Sequence, residues 1–233
     1  MILHKLYAFL WRDWETARSY RLAFLLQGGG LVIPLAGLYF MGRLFTNVDV
    51  SPVARYGGNY VAFTMVGVIL TSYSGTALRA FSGSLRSAQI SGTLEVLLLT
   101  KTGLPTMILG WSLYPFMRAT LFMLVYLAGG FLILGLRLNN LDAIAALCTL
   151  ALTVTVMGSL GILAASFTLV FKQGDPFTAV IVVAAGMLSG TLYPVSVLPG
   201  WLQVVAKLLP QTHAIEAMRL AVLQGYPVTE LAS

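Results

Sequence analysis

Between Leu22 and Tyr193 the chain repeats one pattern: apolar stretches of bilayer-crossing length separated by short polar connections. A crossing helix takes about 20 predominantly apolar residues. Lipid offers the backbone no hydrogen-bond partners, so each such stretch must satisfy its own amides and carbonyls. Composition agrees, with 58% hydrophobic and 9% charged residues against about 45–50% and ~25% in soluble domains. Mean hydropathy is +0.86. These values exclude an ordinary soluble enzyme, a disordered tail and a nucleic-acid-binding module. The chain reads as an all-α polytopic membrane protein, a single transmembrane domain over residues 1–233.

Residues 1–21 differ from the rest. Leu3, Leu6, Tyr7, Leu10, Trp14 and Ala17 recur at helical spacing on one face, and His4, Lys5, Arg12, Glu15, Thr16 and Ser19 fall opposite. A basic, Trp-containing amphipathic helix lies in the interface plane, and charges interrupt any signal-peptide core. Asp13 sits at the edge of the apolar arc. Five spans follow, at about Leu22–Leu44, Asn59–Ala80, within Leu104–Leu136, Asp142–Phe171 and Pro176–Tyr193. A polar segment, Phe81 to Gly103, separates the second and third. Pro105 and Pro115 fall within the long third segment.

After Tyr193 the run breaks at Pro194, Pro199, Gly200 and Pro210. Two short helices, Leu202–Leu209 and Ala214–Leu223, are expected within a re-entrant hairpin over 194–225, because neither piece is long enough to cross. Broken helices at membrane depth are tolerated when buried in protein or lining a cavity. Eight basic residues (Lys5, Arg12, Arg18, Arg21, Arg79, Arg86, Lys101, Lys172) fall on one side and three (Arg43, Arg55, Arg137) on the other. Lysine and arginine collect in cytoplasmic loops, so the N-terminus is expected inside and the hairpin outside. The lone Cys148 excludes an internal disulfide or a CxxC site.

Several chemistries have no residues to carry them. None of the four lysines follows the glycines of a GxxxxGK[ST] phosphate loop, and two histidines, His4 and His213, cannot make an HExxH zinc site. The eight carboxylates lie at span ends, in loops or in the hairpin, which disfavours the ion-coupled carriers that place carboxylates at membrane depth. No metal site, cofactor or nucleic-acid partner is expected of this chain. Uphill transport would draw its energy from a partner.

Two segments resemble a known family. Arg86-Ser-Ala-Gln-Ile-Ser-Gly92-Thr93-Leu94-Glu95-Val-Leu-Leu-Leu-Thr100 is similar to the GTLE-x-LL-x-T signature of ABC-2 type transporter permeases. Ser189-Gly190-Thr-Leu-Tyr193-Pro194, Leu198-Pro199-Gly200-Trp201-Leu202-Gln203 and Pro210-Gln-Thr212-His213-Ala-Ile-Glu216-Ala-Met-Arg219 resemble that family's stretch after span five. With the amphipathic N-terminus, the resemblance covers nearly the whole chain in the family's order. Lys101 stands where the family often has proline, His213 where an aromatic is usual, and the family's sixth span is absent from this chain. The resemblance implies a permease subunit without an ATPase site, moving an amphipathic drug, natural product or lipid outward across a bacterial inner membrane. It further implies a likeness in partners: a cytoplasmic ATPase subunit that supplies ATP and Mg, a second permease copy, and membrane lipid. Polysaccharide-exporting relatives carry an RYxxSxLGxxW-like segment, where this chain has Arg18-Ser-Tyr20-Arg21-Leu-Ala-Phe24. Export of a lipid-linked polysaccharide is the alternative, and an ion-coupled carrier the more distant one.

Each candidate site has two readings. Gly92, Thr93, Leu94 and Glu95, within the cytoplasmic segment 81–103, make an ATPase-coupling helix or simply a well-capped helix start, with Thr93 as cap and Glu95 in the first turn. Arg118, deep in the third span, contacts substrate or snorkels to the interface. Tyr193, Pro194, Trp201, His213 and Glu216 form an external gate or a static cap, with Glu216 and Arg219 close enough on one helix to pair. Gly186 and Gly190 make a GxxxG face for helix packing or dimer contact. Gly28-Gly29-Gly30 with Pro34 weakens the first span as a helix.

Overall fold

The computed structural model describes residues 2–19, 36–41, 51–56, 59–100, 102–132, 141–171 and 176–231, and every regular element among them is helical. These are α1 (Ile2–Ser19), α2 (Tyr60–Ile90), α3 (Thr93–Leu99), α4 (Leu104–Leu132), α5 (Ala143–Phe171), α6 (Pro176–Leu188), α7 (Gly200–Leu208), α8 (Pro210–Arg219) and α9 (Val228–Leu231). A 3-10 turn spans Ser51–Tyr56, and α8 runs on into a π turn, Leu220–Gln224. Three described helices, α2, α4 and α5, are long and apolar enough to cross a bilayer. The expected first span lies outside the described residues, except for helical 36–41. The Gly28–Gly30 run, Pro34 and the basic residues Arg21, Arg43, Lys101, Arg137 and Lys172 also lie outside them.

Local chemistry sets the helix starts. The Asn59 side chain accepts from the Ala62 amide at 3.1 Å, capping α2, and Asp142 caps α5 by accepting from Ala145 at 2.8 Å. Both satisfy an amide that the first helical turn leaves orphaned. Pro105 sits in the first turn of α4, where no N–H is needed, whereas Pro115 lies inside that helix. There it cannot donate to the Trp111 carbonyl.

The centre of the bundle is α2. Its best apolar window is 67% buried, against 22% in α4 and 17% in α5, so α2 packs on protein while its neighbours keep apolar faces outward. Tyr73 ties α2 to α4 through a 2.9 Å hydrogen bond with Thr120. At the α2–α5 crossing a methyl group on Gly161 would stand 2.6 Å from the Leu78 carbonyl oxygen. Close helix approach is bought with small residues, and here the small residue is Gly161.

Three expectations about boundaries change. The second span does not stop at Ala80: α2 continues to Ile90, because Leu85 and Ala88 are buried beside Phe9, Met107 and Trp111. Half of the polar segment 81–103 is therefore helix, and the connection shrinks to a turn plus α3. The hairpin's second helix begins at Pro210, not Ala214, since proline is tolerated at a first helical position. The fifth span, expected to reach Tyr193, appears as α6, whose 13 residues end at Leu188.

Gly186 and Gly190 do not share a helix. Gly190 lies beyond the end of α6 at φ +78°, and an added Cβ would meet Val195 at 3.0 Å and the Tyr193 carbonyl at 3.1 Å. It serves its own turn. Gly186 faces open space.

Candidate functional site

The two ends of the bundle are built differently. At one end α1 lies across α4, with Phe9 pressed against Gly110, where a Cβ would fall 2.6 Å from the ring. Lys5 donates to Thr102 at 3.2 Å, tying α1 to the turn ahead of α4. Leu3, Tyr7, Trp11 and Trp14 stay exposed along one side of α1. Asp13, the misfit of the expected apolar arc, accepts from the Arg12 guanidinium at 2.7 Å.

The segment Gly92–Glu95 sits at this same end. Gly92 is the residue before α3, at φ +67°, a left-handed geometry that suits glycine. Thr93 does not cap: it stands inside the helix, and its hydroxyl shares a 2.8 Å hydrogen bond with Ser91. Glu95 is exposed in the first turn. Leu94 and Leu97 pack inward on the Phe9–Trp111 core, while Ile90, Val96 and Leu99 stay exposed at the tip, Leu99 by 88%.

Behind the tip lies a cavity of about 740 Å³ among α1, α2, α3 and α4. Its lining includes Arg12, Thr16, Ser84, Ser87, Ser91, Trp111, Tyr114, Pro115 and Arg118. A second cavity of about 540 Å³ shares Gly83, Ser84, Pro115 and Arg118, and extends along α2 past Arg79, Thr76, Gly75 and Ser72 to Thr71. Arg118 is half-buried, with its guanidinium 5.7 Å from the Phe122 ring centre.

At the opposite end α8 is sewn onto α2. Arg219, 3% exposed, donates from Nε to the Phe63 carbonyl at 3.1 Å and from Nη2 to the Thr191 carbonyl at 2.9 Å. The guanidinium carbon stands 3.4 Å from the Phe63 ring centre and 5.9 Å from that of Tyr56, so the charge is held by two carbonyls and two aromatic faces. Desolvation pulls this guanidinium down to about 9, still protonated at neutral pH. Burial, with the Glu216 carboxylate adding to it, pushes the Tyr56 phenol above its usual value. Thr71 and Thr191 share a 2.8 Å hydrogen bond, and Gln211 donates to Thr71 at 3.1 Å. Gly67 makes the fit: its Cβ would stand 2.4 Å from the Thr191 oxygen and 2.6 Å from Arg219 Nη2.

The expected Glu216–Arg219 pair does not form. Arg219 is taken into the core, and Glu216 instead meets Arg55 of the 51–56 turn at 3.3 Å. His213 donates from Nε2 to the Lys207 carbonyl at 2.8 Å, closing the α7–α8 corner. The Tyr193 hydroxyl donates back to Met187, and Pro194 is buried. Trp201 is 70% exposed and, with Val204, Val205 and Leu208, forms an apolar stripe on α7.

Sequence reading took Arg118 as the one charge inside a span, and Arg79 only as a marker of topology. A signal was present. Ser72, Thr76, Arg79, Gly83 and Ser87 recur at steps of four, three, four and four, a polar stripe on an otherwise apolar helix. Arg219 carried no such signal, since its partners are backbone carbonyls far away in the chain.

Three helices of bilayer length, with short helices at either end of the bundle, define an all-α membrane protein. The chain belongs to the ABC-2 type transporter family, which matches residues 4–223. It is therefore a membrane subunit of an ABC transporter, a permease as distinct from the ATPase. It is 26% identical over 225 residues to Nodulation protein J of Rhizobium leguminosarum bv. trifolii, covering 94% of this chain and 81% of that one. Nodulation protein J of Rhizobium meliloti (strain 1021) is 24% identical, with coverage of 87% and 76%. That of Neorhizobium galegae is 29% identical over 182 residues, with coverage of 75% and 66%.

Proposed function

We propose that this permease exports an amphipathic substrate, a drug, natural product or lipid, driven by a cytoplasmic ATPase subunit that docks on α3. The observation that carries the reading is the pairing, at one end, of an exposed apolar tip with a large cavity directly behind it. Ile90 and Leu99 stand exposed at the tip, where a partner surface can cover them, and Val96 and Leu97 connect the tip to the cavity wall. Movement of a docked ATPase would pass through α3 to α2 and α4. In this reading the N-terminus is cytoplasmic, α1 rests its Tyr7–Trp14 face in the membrane interface, and two copies pair around the pathway in a bacterial inner membrane. The hydroxyl-rich cavity wall favours a lipid-linked polysaccharide as the second reading of the substrate.

Replacing Glu95 with Lys, or Gly92 with Trp, should uncouple ATPase activity from transport while membrane insertion is kept. Unchanged transport and unchanged ATPase association in both variants would leave α3 as a capped helix and nothing more. The hairpin, with Tyr193, Pro194, Trp201, His213 and Glu216, is read as an external gate whose α7 stripe meets its mate across the dimer. Disulfide cross-links between the Trp201→Cys or Val205→Cys copies should block transport. Undiminished transport with the copies locked would reduce the hairpin to a cap.

A further inference from the structure

Lys207 belongs to neither set of loop cations in the sequence, and its place in the fold sets it apart. α8 runs antiparallel to α2 in a fixed register. Arg219 donates to the Phe63 carbonyl at 3.1 Å and Gln211 to Thr71 at 3.1 Å. The step from Arg219 to Gln211 on α8 thus matches the step from Phe63 to Thr71 on α2, with Ile215 clustered on Val66 and Leu70 between them. At 1.5 Å per residue, Thr71 stands ~17 Å along α2 from its first residue, Tyr60. That is about half of a hydrocarbon core of about 30 Å, on a helix long and apolar enough to cross it. The turn between α7 and α8 is held near this level. Thr212 donates to the Ala206 carbonyl at 2.6 Å, and His213 to the Lys207 carbonyl at 2.8 Å. Lys207 therefore sits at the buried-depth tip of the helical pair, yet its side chain is exposed. Val204 and Leu208 flank it on α7, 63% and 79% exposed.

A lysine at that depth is not left against hydrocarbon, since charged side chains within spans turn to protein or to a water-filled cavity. Its own chain does not enclose it. The four-carbon stem is also too short to carry the ammonium ~17 Å back to the start of α2 and snorkel there. Water remains, and export requires a watered passage.

We infer that the Lys207 ammonium stands in the aqueous pathway at the tip of the hairpin and makes that level selective for the anionic part of the cargo. This rests on the export reading above and adds to it a specificity residue and a charge class. Lysine or arginine rings set the sign of anion pores, and low-dielectric walls focus the field of even one cation. In a pair of copies each hairpin brings one ammonium to the passage. An anionic group is drawn to the tip, and a cationic amphiphile is repelled.

The test places a cysteine beside the lysine: Leu208→Cys in a Cys148→Ala background, in the full chain in proteoliposomes. Its modification rate is measured with two water-soluble methanethiosulfonates, one carrying a sulfonate and one a quaternary ammonium. Both should react, and the anionic reagent should be the faster once each rate is divided by that of a free thiol in solution. Lys207→Gln should lower the anionic-to-cationic ratio about tenfold, and Lys207→Arg should keep it. At Ala54→Cys, exposed on the 51–56 turn, Lys207→Gln should leave the ratio unchanged. If Leu208→Cys does not insert, Val204→Cys, one turn back on α7, carries the same measurement. No reaction with either reagent would put the tip in lipid or inside protein, the second copy included, and overturn the assignment. So would a ratio indifferent to Lys207→Gln, or an equal fall at Ala54→Cys. Association with the ATPase through α3 is measured separately by co-purification. A permease that keeps its ATPase but fails at the tip refutes the charge filter and not the transporter.

Discussion

The arginines at the two ends of the bundle show what a cation in an apolar setting is for. Arg219 is 3% exposed, and its donors end on two carbonyls beneath two aromatic rings. Arg79 and Arg118 line cavities instead, with hydroxyls around them. The first arrangement is closed: its contacts fasten α8 to α2, to the 51–56 turn and to the segment after α6. The second is open, with volume enough for a ligand. The space beside the charge separates the two arrangements.

The largest effect expected from this contrast is at Arg219. Arg219→Met should lower stability by about 3 kcal/mol, because it removes two buried hydrogen bonds from a charged donor, at about 1.5–3 kcal/mol each. Thermal unfolding in detergent reads this. Arg118→Met, removing a half-buried group from a cavity wall, should stay within about 1 kcal/mol. Equal losses at both positions would erase the distinction between an arginine closed in the core and one on an open wall.

Next come the glycines of α2. Gly67→Ala drives a methyl group to 2.4 Å from the Thr191 oxygen, and backbone cannot step aside as a side chain can. A cost of about 2 kcal/mol is expected from overpacking. Gly75→Ala, two turns further on and with nothing within 4 Å, should be neutral or stabilising by up to about 1 kcal/mol through helix propensity. The same substitution on the same helix thus separates the closed end from the open wall. If Gly75→Ala proves as costly as Gly67→Ala, the cavity is filled by packing in the membrane, and the pathway reading of this wall loses its basis.

Much of this architecture was legible because spans are written in composition. The fourth span, Asp142–Phe171, corresponds to α5 almost residue for residue, with Asp142 as its cap. Hydrophobicity misplaced the end of the second span, since residues 81–90 are polar in sequence yet helical, with Leu85 and Ala88 packed on α1 and α4. The GxxxG pattern pointed to Gly186 and Gly190, but among the described residues close approaches fall at Gly161, Gly110 and Gly67. Local spacing cannot say which glycine a neighbouring backbone will approach. Arg219 was invisible for the same reason, as its acceptors at Phe63 and Thr191 are 156 and 28 residues away.

The smallest expected effect concerns the ion pair that replaced the anticipated one. Arg55 and Glu216 meet at 3.3 Å with side chains 68% and 41% exposed. Water screens such a pair, and holding two long side chains in one geometry offsets what remains, so exposed pairs contribute about 0–1 kcal/mol. Arg55→Ala and Glu216→Gln should each shift stability by no more than about 0.5 kcal/mol, and a double-mutant cycle should return a coupling energy of similar size. Glu216 also stands near Tyr56, whose ring faces the Arg219 guanidinium. A coupling of about 2 kcal/mol or more, beyond what an exposed pair gives, would mean that the Arg55–Glu216 contact is covered in the membrane by a second copy. It would then belong with Arg219 to the closed end of the molecule. A small coupling leaves Glu216 on the accessible side of α8, where its replacement can test the gate without disturbing the fold.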